Sequence, residues 1–454
     1  MKINPQIFKN YDIRGIYPQD LNEEVAYKIG RAFVDFIRKE VKKRKIDIFL
    51  GQDNRLSSPL LFKALSRGIV DSGANVISLG LCSTPMFFFT SAHFKLGDGG
   101  IMITSSHLPR DFNGFKLVKA KAFPVDKETG LQDIKKQVMK NHFPPVQKRG
   151  KVIKKDILKT YVQFNLENFN LAQITSLKIV VDTGNGVSGI IIPEIFQKIN
   201  CKVFHLFSKL DGRFPNRSPD FFKKGSLKPL QEEVRKRKAD LGLAFDGDGD
   251  RIIFVDEEAK IISPNSIFAF IISQLLKENP GEKIIYTVRA SRIIPEVIKK
   301  NRGEGILWRI GHSVIKRKMR KENILFGGET SSHYYHKRHY FSEAPFFVLF
   351  KALEELSKSQ KKISQLMAPF QKYYYSGEME FRTNNFEEKI KEVQNYYKGG
   401  KENRLDGLRV DFKDWWFLIR PSGTEEGLLK LVVEAERKDL MEQKKKELTR
   451  IIST

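Results

Sequence analysis

The stretch TSSHLPRDFNGFK, Thr104 to Lys116, sets three consecutive hydroxyls beside a histidine and puts a lysine at the far end of a short loop. A hydroxyl becomes a nucleophile or a phosphoryl acceptor when a base or a positive charge stands next to it. A second stretch, DGDGDR at Asp246 to Arg251, carries carboxylates on alternate residues with glycines between them. Carboxylates converging from one tight turn repel one another unless a cation sits among them, and their hard oxygens suit magnesium. Two further stretches bind rather than react. FGGETSSH, Phe326 to His333, offers Glu329, Ser331 and His333, and a carboxylate with a hydroxyl makes a receptor for vicinal sugar hydroxyls. IRPSGTEE, Ile419 to Glu426, places Arg420 just before Ser422, Gly423 and Thr424, a combination that nests a dianionic phosphate. Taken singly, each stretch also reads as an ordinary polar turn.

Two of these patterns imitate other sites. Asp246, Asp248, Asp250 and Glu257 occupy the first, third, fifth and twelfth places of a calcium EF-hand loop. Arg251 stands where that loop requires glycine, however, and apolar strand-like runs flank it in place of helices. A strand-loop-strand magnesium site is therefore expected. GNGVSG, Gly184 to Gly189, matches the dinucleotide-binding glycine pattern, but Asp182 and Thr183 separate it from its strand and Asp211 falls beyond the next strand. It is read as a strand-to-helix turn.

The elements that must position these loops follow from the apolar pattern. GGIMI before Thr104 is a buried strand, and strand ends are where ligands sit in α/β sheets. Strand-like runs followed by a polar turn begin at KIDIFLGQDNR, LKIVVDTGNGVSG and EKIIYTVRASR, about a hundred residues apart, which suits three related α/β domains. From Glu378 the pattern changes to EMEFRTNN, a helical KIKEVQNYY, the alternating LRVDFKDWWFLIR and a basic helix, a small α+β domain. The expected domains are 1–152, 153–257, 258–368 and 369–454. The Lys-rich segment Gln147 to Lys155 is expected to be a linker.

Bulk composition narrows the class. With 41% hydrophobic and 30% charged residues over 454 positions, the chain has the make-up of a soluble globular protein of several domains. No apolar run reaches the eighteen or so residues of a membrane helix, and the N-terminus lacks a signal pattern, so a cytoplasmic protein without membrane contact is expected. Cys82 and Cys201 lack metal-ligand spacing. The formal charge of +26 raises nucleic acid as a partner. The basic clusters, such as RKEVKKRK and MEQKKKELTR, contain glutamates in helical patterns and read as solvated faces. Small anionic substrates, and no nucleic acid, are the expected partners.

In this order the four loops resemble the α-D-phosphohexomutase family, and within it the phosphomannomutase/phosphoglucomutase branch. The similarity covers essentially the whole chain and includes YDIRG at Tyr11 to Gly15, GQDNRLSS at Gly51 to Ser58, VDTGNG at Val181 to Gly186, RFPNRSPD at Arg213 to Asp220 and GHSVIKRKM at Gly311 to Met319. The resemblance implies three related α/β domains plus a smaller C-terminal α+β domain around one central cleft. It implies a mutase that interconverts hexose 1-phosphate and hexose 6-phosphate, of mannose or glucose, through a phosphoserine and a hexose 1,6-bisphosphate intermediate that also acts as activator. A phosphoglucosamine mutase, or a silent phosphosugar-binding homologue, is the alternative. The family's reactive serine falls on Ser106, with His107 and Lys116 beside it. One magnesium ion is implied, held by Ser106, Asp246, Asp248 and Asp250. Arg14 and Arg251 would offset negative charge and His312 would be a further catalytic residue of the cleft, while Tyr11, Arg289, Glu329, Ser331 and His333 would bind the sugar. Arg420, Ser422, Gly423 and Thr424 would hold the phosphate that is not transferred.

Several positions depart from the family pattern. Leu108 replaces an asparagine, Ser105 a small residue, Thr330 a methionine or glutamine, Arg289 a lysine and Glu426 a proline, and Arg217-Ser218 stands where histidines are common. Lys116 is the first candidate for proton transfer at the sugar hydroxyl, which requires burial to lower its pKa. Ser106 is favoured over Ser105 because neighbours in an extended backbone point to opposite sides. A monomer or homodimer is expected.

Overall fold

The computed structural model describes the chain apart from residues 1, 2, 44, 95, 96, 144, 384, 424–426 and 454. Residues 1–262 with 332–364 form one compact unit, and residues 263–331 with 365–454 form another.

The first unit holds two sheets. The first contains β1 (Ile13–Ile16), β2 (Asp47–Gln52), β3 (Asn75–Leu81), β4 (Gly99–Ile103), β5 (Phe112–Lys119), β6 (Phe123–Val125) and β7 (Val152–Lys154), in the order β1-β5-β4-β2-β3-β7 with β6 beside β5. The second contains β8 (Lys178–Asp182), β9 (Lys202–Leu206), β10 (Leu241–Phe245), β11 (Ile252–Val255) and β12 (Ile261–Ile262), in the order β12-β11-β10-β8-β9. In the second unit β13 (Lys283–Thr287) runs parallel to β14 (Glu304–Trp308) and β15 (Phe326–Gly328). The strands that open the three sequence runs, β2, β8 and β13, each lie between two parallel neighbours: β3 and β4, β9 and β10, β14 and β15. One arrangement is therefore built three times. Its third strand, β4, β10 or β15, delivers the hydroxyl loop, the acidic loop or the Glu329 loop at its carboxyl end. The hairpin of β16 (Tyr334–His336) and β17 (Ser342–Glu343) belongs to the first unit.

The C-terminal part is an antiparallel sheet of β18 (Tyr374–Tyr375), β19 (Met379–Arg382), β20 (Lys401–Asn403), β21 (Leu408–Asp411), β22 (Trp415–Pro421) and β23 (Leu428–Ala435). Helices Phe386–Tyr396 and Lys438–Ser453 supply Val393, Leu448 and Ile452 to a core with Leu408, Val410, Phe417 and Ile419. Alternate residues Trp416 and Leu418 pack on Val288 from the other face, so β22 is buried on both sides. The basic terminal helix pairs Lys444 with Glu447 and Lys445 with Glu442, as a solvated face does. No helix among the described residues is long and apolar enough to cross a membrane.

The segment expected to be a linker is partly strand. β7 adds to the edge of the first sheet, parallel to β3, and Lys151 N donates to Asn75 Oδ1 at 3.1 Å. Its three residues, Val152, Ile153 and Lys154, are all exposed and are flanked by lysines, which protect a sheet edge, and the strand is too short to show apolar alternation.

Helices α1 (Glu23–Val41) and α2 (Ser58–Asp71) cover the first sheet. Asn22 caps α1 by accepting from Val25 N, and Glu23, Glu24, Arg38 and Lys39 match its dipole. The two helices meet backbone to backbone. A Cβ on Gly68 would stand 2.2 Å from Tyr27 O, and one on Gly30 would stand 2.7 Å from Leu65 O. Alanine has the better helix propensity by about 1 kcal/mol, but overpacking costs roughly 1–3 kcal/mol. The helix cannot yield here, because the obstructing atom is backbone. Gly68→Ala is expected to lower stability by about 1–2 kcal/mol, read as a lower urea midpoint; an unchanged or higher midpoint would refute the close contact.

Candidate active site

Every residue of β4 is buried, and the strand stops at Ile103. Thr104 Oγ1 then accepts from Ser106 N at 2.9 Å and Leu108 N donates to Ser105 O at 3.0 Å, so the chain turns at once. Ser106 takes φ +52°, the left-handed region. The extended alternation expected for the three hydroxyls is absent, because these two local bonds capture the backbone. The three hydroxyls nevertheless differ. Thr104 is used inside the turn, Ser105 Oγ is buried without a hydrogen bond among the described residues, and Ser106 Oγ donates to Asp246 Oδ2 at 3.0 Å, with His107 Nδ1 at 3.5 Å.

The acidic loop joins antiparallel β10 and β11, the strand-loop-strand form expected. The carboxylates of Asp246, Asp248 and Asp250 are buried, with one oxygen of each within 4.8 Å of the others. Gly247 lets this loop touch the serine turn, since a Cβ there would stand 2.7 Å from Ser106 O. Glu257, the twelfth residue of the EF-hand pattern, instead binds Ser364. Positive groups surround the cluster. Lys116 Nζ donates to Asp248 Oδ2 at 2.8 Å and to Asp250 Oδ2 at 2.6 Å. Arg251 N donates to Asp246 Oδ1 at 3.2 Å, and Arg251 Nε lies 3.2 Å from His333 Nε2, which is 3.3 Å from Asp250 Oδ1. Thr84, at the start of helix α3 (Thr84–His93), donates from Oγ1 to Asp248 Oδ2 at 2.6 Å.

These contacts separate the charges. Burial, then Asp250 and Asp248, push the Asp246 carboxyl well above the usual range. Burial would raise Asp250 too, but Lys116, His333 and Arg251 hold it well below. Burial alone would depress Lys116; Asp248, Asp250 and Glu343 outweigh it and raise the ammonium. The expected lowering is reversed, because the carboxylates that need a cation also keep this lysine charged. Burial, Arg251 and Arg14 keep His107 neutral, its pKa well below the ordinary value. Arg14 is raised against burial by Asp12, 2.7 Å away, with Asp248 and Asp250 contributing. Tyr11 lies partly buried in the bend before β1.

The donor set fits magnesium: three buried carboxylates and the Ser106 hydroxyl supply only hard oxygens, and Asp248 Oδ1 has no hydrogen bond among the described residues. Two features behind the loop escaped sequence reading. The GNGVSG turn supports it directly, with Val187 N donating to Gly247 O at 3.1 Å. Arg217, buried against Asp182 at 2.9 Å, donates to Phe245 O at 2.6 Å and so anchors the end of β10. The departure at Arg217 thus comes with a buried counter-ion.

In the second unit the glycines of FGGETSSH are strand residues of β15. A Cβ on Gly327 would stand 2.4 Å from the Ile285 side chain, and one on Gly328 would stand 2.7 Å from that of Phe268. Glu329 Oε1 accepts from Gly311 N at 3.2 Å, which sets it beside His312, the first residue of helix His312–Glu322. Ile310 N donates to Asp406 Oδ2 at 2.8 Å, and Asp406 Oδ1 accepts from Arg420 Nε at 3.1 Å. Asp406, which no motif marked, therefore connects the Glu329 region to the arginine of the fourth loop. That loop is closed by Ser422 N donating to Leu428 O at 2.7 Å, with Gly423 beside it; Thr424 and Glu426 lie outside the described residues. Arg289 pairs with Glu378 at 2.5 Å, and Lys430 binds the same carboxylate at 2.8 Å. Ser331 closes the segment 263–331 of this unit. The structure gathers Ser106, His107, Lys116, the three aspartates, Arg251 and His333 in the first unit. Within the second it links Glu329, Gly311 and Arg420.

Four family models match the chain in sequence. Their descriptions are phosphoglucomutase/phosphomannomutase alpha/beta/alpha domains I, II and III, at residues 5–145, 159–259 and 263–373, and the C-terminal domain at 378–451. A phosphomannomutase of Escherichia coli is 34% identical over 442 residues, covering 94% of each chain. A phosphomannomutase/phosphoglucomutase of Pseudomonas putida is 35% identical over 424 residues, covering 92% of this chain and 89% of its own. A crystal structure of a phosphoglucomutase/phosphomannomutase family protein from Burkholderia thailandensis superposes with a TM-score of 0.90 at 30% identity, over 99% of this chain and 97% of that one.

The Glu378 cluster yields a pH test. Burial would raise this carboxyl, but Arg289 and Lys430 bring it from its ordinary 4.5 to about 2. A depressed folded-state pKa contributes stability above the unfolded value that is lost as pH falls through the folded one. Between pH 4.5 and 2 the melting temperature of the natural protein should therefore fall more steeply than that of Glu378→Gln. Parallel curves would show that Glu378 carries no linked proton.

Proposed function

Because the chain belongs to the phosphoglucomutase/phosphomannomutase family, we propose that it interconverts hexose 1-phosphates and hexose 6-phosphates of mannose and glucose through a phosphoserine at Ser106. The observation that carries this reading is the contact between Ser106 Oγ and a buried three-carboxylate cluster. The domain limits 1–152, 153–257, 258–368 and 369–454 belong to the same reading, supported by the order of the family matches.

The phosphoryl group passes from Ser106 Oγ to the free hydroxyl of the bound sugar phosphate. The P–O bond to serine breaks, a P–O bond to sugar forms, and the proton of the sugar hydroxyl ends on the released Ser106 Oγ. The resulting hexose 1,6-bisphosphate turns end for end and returns its other phosphoryl group to Ser106, whose proton goes to the sugar oxygen. Asp246, Asp248, Asp250 and Ser106 would hold one magnesium ion, which, when bound, neutralises charge on the transferring phosphoryl group and polarises it. Neutral His107, 3.5 Å from Ser106 Oγ, is placed to take and return the serine proton. Lys116, kept protonated by its carboxylates, serves as fixed positive charge, with Arg14 and Arg251. Glu329, Ser331 and His333 receive sugar hydroxyls. Arg420, Ser422, Gly423 and Thr424 hold the second phosphate; Arg289, His312 and Tyr11 complete the substrate contacts.

Incubation with glucose 1,6-bisphosphate should label Ser106, read by peptide mass spectrometry, and Ser106→Ala should lose label and turnover together. Label on Ser105 in that variant, or full turnover without phosphoserine, would sink the mechanism. Coupled assays on mannose, glucose and glucosamine 1-phosphates decide the sugar; turnover of glucosamine alone would overturn the specificity. For the metal, Asp248→Asn removes one of three anionic ligands. Magnesium affinity by titration calorimetry should drop by more than the 10- to 100-fold typical of outer-shell changes, about 100-fold or beyond, with circular dichroism unchanged. Unaltered affinity would remove Asp248 from the metal site.

A further inference from the structure

In GQDNRLSS nothing distinguishes Arg55 from any other charge in a polar turn. In the structure it is among the largest fully buried side chains. Nη1 donates to Pro109 O at 2.6 Å and Phe112 O at 2.9 Å, and Nη2 donates to Ser106 O at 2.9 Å and Leu108 O at 2.6 Å. Nε faces Asp53 Oδ2 at 3.2 Å. Asp53 is itself fixed, its Oδ1 accepting from Ser58 Oγ at 2.6 Å and from Arg55 N at 3.0 Å. A lid from the second α/β module closes over the guanidinium. The Phe214 ring lies 5.4 Å from it, and a Cβ on Gly212 would stand 2.3 Å from Asn54 O and 2.9 Å from Arg55 Cα.

An arginine needed only to balance Asp53 would use one nitrogen. This one spends its other two on four carbonyls of a single loop, residues 106–112. Main-chain carbonyls that converge on one point repel one another and cannot all find backbone donors, so a planar fork with fixed directions suits them where a point charge does not. The first of the four belongs to Ser106, a non-glycine residue at φ +52°. Such a conformation persists only where its surroundings over-determine it. Here one peptide group is held by Thr104 Oγ1 on Ser106 N and the next by Arg55 on Ser106 O. Relaxation of either would swing Ser106 Oγ away from Asp246 Oδ2.

We infer that Arg55 is a positioning residue of the phosphoryl transfer. It holds the 106–112 loop by its carbonyls, so that Ser106 stays in the left-handed conformation that aims its Oγ at the acidic loop. It acts through the geometry of the guanidinium and not through charge. The inference rests on the assignment of Ser106 proposed above.

Arg55→Lys tests it, because lysine keeps the charge beside Asp53 but donates from one nitrogen and cannot reach carbonyls on both sides of the fork. Three quantities are compared with the natural protein: label on Ser106 after incubation with glucose 1,6-bisphosphate, kcat and KM for mannose 1-phosphate, and hydrogen exchange across the chain. Label should fall and kcat should drop by about 100-fold, the cost of a misplaced reacting group, with KM little changed. Faster exchange should be confined to residues 104–116, a pattern that general destabilisation would not produce. Natural protein labelled on Ser106 together with an Arg55→Lys variant equally labelled and active would overturn the inference and leave the mutase reading intact. Exchange that rises throughout the first unit would overturn it as well, by showing a general structural role. Natural protein that takes no label on Ser106 would overturn the mutase mechanism, and the inference with it.

Discussion

Three carboxylates buried within 4.8 Å of one another, beside a serine hydroxyl, form the constraint on which the rest of this protein depends. Like charges this close cannot all ionise in a low-dielectric interior without compensation. Lys116 on β5 and Arg251 within the loop supply it, with the His333 ring, just before β16, packed against Asp250 and Arg251. The first unit therefore has to bring both of its sheets and the 332–364 segment to one point. The charge cluster is a reason for that unit's assembly as well as a site.

Repetition explains how the loops reach their places. In each α/β module the third strand carries the reactive or binding loop from its carboxyl end, while the central strand runs parallel between two neighbours. That end of a parallel sheet is where loops are free to vary over a rigid base. Under two of the loops the structure adds a buried arginine on main-chain carbonyls, Arg55 beneath residues 106–112 and Arg217 beneath Phe245. A strained or crowded loop held from below leaves its upper face for ligand. Thr84 and the GNGVSG turn extend the same support to Asp248 and Gly247.

Much of this was legible along the chain. Strand-loop-strand geometry around DGDGDR, the three repeated α/β openings and the α+β end all follow from apolar periodicity and turn residues, which act within a few residues of sequence. β7 was missed because three exposed residues set among lysines are too few to show an alternation. The conformation of Ser106 was missed because two local hydrogen bonds, one of them to a threonine side chain, overrode the extended continuation of β4.

Local residue order by itself determined which loops carry hydroxyl, carboxylate and guanidinium groups, and that the acidic loop calls for a cation and could not be an EF-hand. Only the tertiary structure decided which distant groups answer them: Lys116 and His333 for the aspartates, Asp406 for Arg420, Glu378 for Arg289, and Arg55 for the carbonyls of the serine loop. It also decided the sign of the Lys116 shift, which burial alone would have set the other way. The physical reason is range. Turn chemistry and periodicity act between neighbours in sequence, whereas desolvation and charge pairing depend on what the fold brings within a few ångströms from positions 14 to 134 residues apart.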